Sequence, residues 1–146
     1  MRPVYGPLPG SISLLLDAAP DVVIVAAQHE VSAAGLAVAR VAADEGYLET
    51  DWYDVVTKRT VSARTEDFDH TVKLRLFADP TAGRTRLAAE CVRRIAYDPS
   101  QPELDLERMV PDGTPEHAIL DSLVARLKLV FPPPKPRADS TGAQQP

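Results

Sequence analysis

The cleanest alternation of apolar and polar positions lies in HTVKLRLFAD (70–79). An extended strand there puts Val72, Leu74, Leu76 and Ala78 on one side and Lys73, Arg75 and Phe77 on the other. DPTAG (79–83) supplies Pro and Gly for a hairpin turn. RTRLAAECVRRIAYD (84–98) then returns as a second strand, with Leu87, Ala89, Cys91 and Ile95 on one face. Upstream, SISLLLD (11–17) reads as a short strand, and LAVARVAADEG (36–46) as a strand running into a polar turn. YLETDWYDVVT (47–57) reads as one continuous strand. It places Leu48, Thr50, Trp52 and Val56 inward, and Tyr47, Glu49, Asp51, Tyr53 and Val55 outward. KRTVSARTEDF (58–68) is either a loop or a short edge strand.

Two segments change period to that of a helix. PDVVIVAAQHEVSAA opens with Pro20 at a first helical position and Asp21 beside it, and ends at Gly35, a favoured residue just past a helix. Val22, Val25, Ala26, His29 and Ala33 recur at helical spacing and form its expected buried face. After the acidic, proline-marked crossing 98–113, Thr114 serves as an N-cap and Pro115 as the first residue of a second helix reaching Phe131. Its apolar stripe is Leu120, Leu123, Val124, Leu127 and Phe131. Strand, helix, several antiparallel strands and a closing helix define an α+β two-layer sandwich. Two helices cover one face of an antiparallel sheet in a helix-grip-like arrangement, and the other face is solvated.

A chain of 146 residues is one domain's worth. The division expected is a flexible segment over 1–10, a single domain over 11–131 and a disordered, proline-rich tail over 132–146. The tail begins PPPKPR, which reads as a solvated tether or as a ligand for a proline-recognising domain. Aromatics are sparse at 5%, so Val, Leu, Ile and Ala must build the core. A net charge of -5 without clustered cations argues against nucleic acid. Met1-Arg2-Pro3 leads into no apolar signal segment, and the apolar run 12–27 is too short and too interrupted by charge to span a bilayer.

Candidate chemistry is thin. Cys91, the single cysteine, excludes an intramolecular disulfide and sits in a strand, where a half-buried inert thiol is expected. No glycine loop suits a phosphate, and no cofactor is implied. His29, His70 and His117 are dispersed without metal-ligand spacing, so His29 reads as structural and Glu116-His117 as a helix-capping pair. Glu49 and Asp51 share a strand face at roughly 6–7 Å, a spacing compatible with acid/base work on glycosides. Lys73, Arg75, Arg86, Arg93 and Arg94 on neighbouring strands favour a charge ladder instead. The outward face of Tyr47, Glu49, Asp51 and Tyr53 is left as the candidate binding surface, meeting either neighbouring arginines and water or another protein, with no catalytic residue.

The segment AAGLAVARVAADEGYLETDWYD (33–54) resembles the domains of the bacterial outer-membrane assembly lipoprotein family BamC (NlpB/DapX). The matching positions are Gly35, Val38, Asp44, Gly46, Leu48, Thr50 and Trp52: a helix ending in glycine, a strand, an Asp/Gly turn, and a strand of the G-x-[IL]-x-[TV]-x-W type. The strand pair and closing helix continue the same order. Chains of that family carry two such domains and a long N-terminal segment, and the lipid-bearing cysteine is missing here. The resemblance implies a non-enzymatic envelope protein on the periplasmic side of the outer membrane, with other envelope proteins as partners and a lipid anchor as its only membrane link. A cytoplasmic protein, or a helix-grip module binding a small apolar ligand between Leu74, Leu76, Leu87 and Leu123, is the alternative.

Overall fold

The computed structural model describes residues 2–3, 5–62 and 69–132. Their elements run β1 (Ile12–Leu16), α1 (Pro20–Ala33), β2 (Val38–Ala42), a 3-10 turn (Ala43–Glu45), β3 (Tyr47–Thr50), β4 (Tyr53–Asp54), β5 (Arg59–Thr60), β6 (Thr71–Thr81), β7 (Arg84–Arg94), a 3-10 turn (Glu103–Leu106), β8 (Glu107–Met109) and α2 (Ala118–Val130). The eight strands form an antiparallel sheet with central order β1-β7-β6-β3-β2. β8 extends it beside the end of β7, and the β4–β5 ribbon extends it beside the start of β6. Both helices pack on one face, giving the two-layer α+β sandwich. Among the described residues, no helix is long and apolar enough to cross a membrane.

The β6–β7 hairpin is the spine; its pairing reaches further into the turn than the sequence pattern indicates, while β7 ends at Arg94 rather than at residue 98 and leaves Ile95 exposed. Pairing continues through Pro80↔Thr85 to Thr81↔Arg84, leaving Ala82 (φ 50°) and Gly83 (φ 80°) as a two-residue turn with both φ positive. Proline is tolerated in this strand because alternate N–H groups point the same way. Ala78 donates away from β7, to the Gly46 carbonyl at 2.8 Å, so Pro80 faces a side where β3 no longer pairs. Gly46 itself is obligatory: its φ is 69°, and a Cβ there would lie 2.0 Å from the Ala78 carbonyl oxygen.

α1 ends as its sequence indicates. Gly35 N–H donates to Ser32 O and Leu36 N–H to Val31 O, each at 3.0 Å, so the last carbonyls are satisfied. Its buried face differs from the expected one: Val23, Ile24, Ala27 and Val31 are inside, while Val22 and Val25 are 48% and 45% exposed. In a run such as VVIV, stripes one residue apart satisfy helical spacing equally, and docking on the sheet chooses between them. α2 buries Leu120, Leu123, Val124 and Leu127 with Phe131 packed alongside, as the stripe indicates. It starts three residues later than expected. Thr114 closes a preceding turn by accepting the His117 N–H at 3.3 Å, and Glu116 meets His70 at 3.0 Å rather than capping.

The expected strand 47–57 is broken. Glu49 pairs with Arg75 and Tyr53 with Val72, so one strand advances four positions where the other advances three. At the break, Thr50 Oγ1 accepts the Leu74 N–H and donates to the Asp51 carbonyl, each at 3.0 Å, replacing a ladder bond with a side chain. An inserted residue reverses the faces of all that follows. Tyr53, expected outward, lies in the core, and Trp52, expected against the helices, lies on the opposite face.

Candidate functional site

The face of the sheet away from the helices is not the solvated face expected. Lys73, Arg75 and Phe77 project there from β6, Glu90 and Arg94 from β7, Tyr47 and Glu49 from β3, and Glu107 from β8, and every one of them is buried. β8 was not evident in the sequence. ERM is short and sits in an acidic crossing without alternation, so the strand exists only because β7 offers it an edge.

Charges on this face are paired in detail. Arg75 donates to both carboxylate oxygens of Glu107, at 2.7 and 2.8 Å, and to Glu90 at 3.1 Å, and its Nε lies 3.6 Å from Glu49. Lys73 donates to Glu49 at 3.1 Å, and Tyr47 donates to Glu49 at 2.5 Å. Burial opposes ionisation of Glu49, yet the Tyr47 hydrogen bond and the charges of Lys73 and Arg75 outweigh it and hold this carboxyl below its ordinary range. Burial, and then the bond to Glu49, push the Tyr47 hydroxyl far up. Burial also disfavours the Arg75 cation, but the bonds and charge of Glu107 more than compensate. Arg75 thus stays charged and Tyr47 neutral.

Aromatic rings interleave with these charges. Trp52 carries Lys73 Nζ at 4.9 Å and Arg94 Cζ at 4.8 Å from its ring centre, and Arg94 also lies 5.7 Å from Tyr97. Tyr47 and Phe77 contact at 5.3 Å between ring centres. The segment before β1, marked by composition as flexible, lies across one end of this face. Arg2 sits 5.4 Å from Phe77, the Tyr5 ring lies 5.8 Å from Arg75, and Leu8 N–H donates to Glu90 at 2.7 Å.

The four residues expected to form a surface separate. Tyr47 and Glu49 join the buried network, Tyr53 enters the core, and Asp51 is left half-buried at the strand break, its N–H on Ala37 O at 2.9 Å. Arg75, Glu90, Glu107 and Trp52 are the additions. The signal for Glu90 and Arg75 was present in the alternation of β6 and β7, where the two opposite charges fall directly across from each other on the outward face. Glu49, kept ionised by the Tyr47 and Lys73 hydrogen bonds and the nearby Arg75 charge, is unlike a general acid. Cys91 is fully buried, and burial first, then Asp121, Glu116 and Glu90, push its thiol up to about 12. His29 is exposed, while His117 is buried with Nε2 3.2 Å from Asp112 and Nδ1 3.0 Å from Asp121.

Leu74, Leu76, Leu87 and Leu123, the expected lining of an apolar cavity, pack within one core cluster. The clefts at the surface are lined by other residues. One of about 200 Å³ lies between Thr71, Val72, Arg93, Val110 and Glu116, and one of about 390 Å³ between Arg2, Asp21, Asp44, Glu45 and Asp79. Among the described residues, no group of three or more His, Cys, Asp or Glu side chains could hold a metal ion. The tail 133–146 and residues 63–68 lie outside the described residues. No protein-family model matches the chain, and comparison with curated proteins gives no match.

Proposed function

We propose that this protein is a non-enzymatic interaction domain of the bacterial cell envelope, allied to the BamC-type lipoprotein domains, and that it acts by binding another protein through its outer sheet face. The observation that carries this reading is the composition of that face. The chain has four tyrosines, three phenylalanines and one tryptophan, and five of these rings (Tyr5, Tyr47, Trp52, Phe77 and Tyr97) meet there with Arg75 and Arg94, Tyr97 exposed at the rim and Tyr47, Trp52 and Phe77 buried behind it. Tyr, Trp and Arg are the residues that dominate binding hot spots, because rigid rings and planar guanidinium groups give large contacts at small entropic cost. The envelope assignment draws on the Gly35–Trp52 pattern and on the α+β order that surrounds it.

The test is cross-linking in cells from the rim of the face. A photo-reactive residue at Asp51 or Tyr97, in the native gene product, should give a discrete protein adduct in the envelope fraction. A photo-reactive residue at Ser32, on the opposite layer, should not. Recovery of the protein only in the cytoplasmic fraction would remove the envelope assignment. Absence of adducts from both rim positions would remove the interaction reading.

A further inference from the structure

We infer that residues 2–3 and 5–9 occupy, within their own chain, a docking track for an extended, proline-rich segment of a partner that carries an arginine followed three residues later by an aromatic side chain. This rests on reading the protein as an interaction domain. The contacts of the segment fall at a spacing of three. Arg2 grips Asp79 through two nitrogens at 2.8 and 3.3 Å and donates to the Glu45 carbonyl at 3.1 Å. Tyr5 stacks near Arg75, and the Leu8 N–H reaches Glu90. Pro3, Pro7 and Pro9 lie between or beside these positions. A partner segment in a polyproline-type helix, with three residues per turn, presents residues at that spacing on one side. Grooves that read such segments are lined by aromatic rings, as this one is by Tyr47 and Phe77.

The segment is held so that it can leave. Among the described residues, its one main-chain to main-chain hydrogen bond is local, from Ser11 N–H to Leu8 O at 3.2 Å, and it forms no ladder with the sheet. Beneath it lie Arg75 and Glu90, which regain hydration on exposure, beside the Tyr47 and Phe77 rings that a partner's aromatic side chain covers in turn. The track also continues past the segment. Its contacts with β6 stop at Arg75, while Trp52 lies further on against Lys73, and the buried Trp52 Nε1 has no acceptor among the described residues.

Two measurements on the full chain decide the matter. In native-state hydrogen exchange, the Leu8 amide should exchange at least ~100-fold faster than the Leu76 amide, reporting local release of the strap. Equal protection of the two would mean the segment opens only with global unfolding and would overturn the inference. The second measurement titrates the peptide RPVYGPLP into the wild-type chain and into Arg2→Ala/Tyr5→Ala. The variant should bind about tenfold more tightly, because its own segment no longer competes at high effective concentration. A folded variant that leaves the peptide unbound, or binds it no better than wild type, also overturns the inference. If the variant does not fold, the exchange experiment decides alone. A strap that never opens leaves the cross-linking result at Asp51 and Tyr97 unaffected, so the two readings fail separately.

Discussion

Arg75→Leu removes the guanidinium that Glu107, Glu90 and Glu49 share. The side chain is 3% exposed and its two main partners are 0% and 1% exposed, so solvent screening does little to soften the loss. Lys73 still reaches Glu49, but Glu90 and Glu107 lose their bonds to Arg75 within the sheet face. Breaking a buried pair in this way costs about 3–5 kcal/mol, a large part of the ~5–15 kcal/mol by which a domain is ordinarily stable. At roughly 3–5 °C per kcal/mol for a domain of this size, the melting temperature should fall by about 10–20 °C. Urea unfolding at pH 7, followed by far-ultraviolet circular dichroism and by the fluorescence of Trp52, would measure the change as a lower midpoint at constant slope. Leucine retains the apolar stem, so a shape defect alone cannot account for a loss of this size. Arg75→Leu/Glu107→Leu separates the causes further. Removing both partners relieves the uncompensated charge, so the double variant should be at least about 1 kcal/mol more stable than the two single losses added together. Strict additivity, or an Arg75→Leu chain within about 1 kcal/mol of wild type, would refute the account of this face as a coupled ionic network.

Gly46→Ala should destabilise by at least about 1–3 kcal/mol in the same urea assay, because a Cβ collides with the Ala78 carbonyl at a positive φ. Leu123→Ala should cost about 2–5 kcal/mol, whereas Val25→Ala on the exposed side of α1 should stay within about 0.5 kcal/mol. Near-equal losses from the two would refute the assigned helix faces. Because the Glu49 carboxyl is held below its ordinary range in the folded state, its contribution is present above the unfolded carboxylate range and is lost as pH falls through the folded value. Stability measured from pH 7 down to about pH 3 should therefore fall less steeply in Glu49→Gln than in wild type. The Cys91 thiol should react with a disulfide reagent at pH 8 only at the rate at which the chain opens, and fast labelling of the native protein would contradict its burial.

Much of the layout is legible in the residue pattern alone. The alternation in 70–79 and 84–94 places Val72 to Ala78 of β6 and most of β7 on the correct face, because the period of two is fixed by strand geometry. The stripe of α2, the cap at Gly35 and the turn at Gly46 were likewise legible, since each depends on residues within one turn of the chain. What tertiary structure decided begins at Thr50. A hydroxyl that replaces a ladder bond inserts one residue into the strand, and that insertion exchanged the faces of Trp52 and Tyr53. No local pattern announces it, because it depends on where Leu74 of another strand presents its N–H. The face of α1 was ambiguous for a related reason: an all-apolar run leaves the choice of stripe to the sheet. Most of all, whether an outward row of Glu, Lys and Arg meets water or meets its own neighbours is a property of the assembled sheet. Here β8 and the segment before β1, distant in sequence, close over that row and turn an expected surface ladder into a buried network.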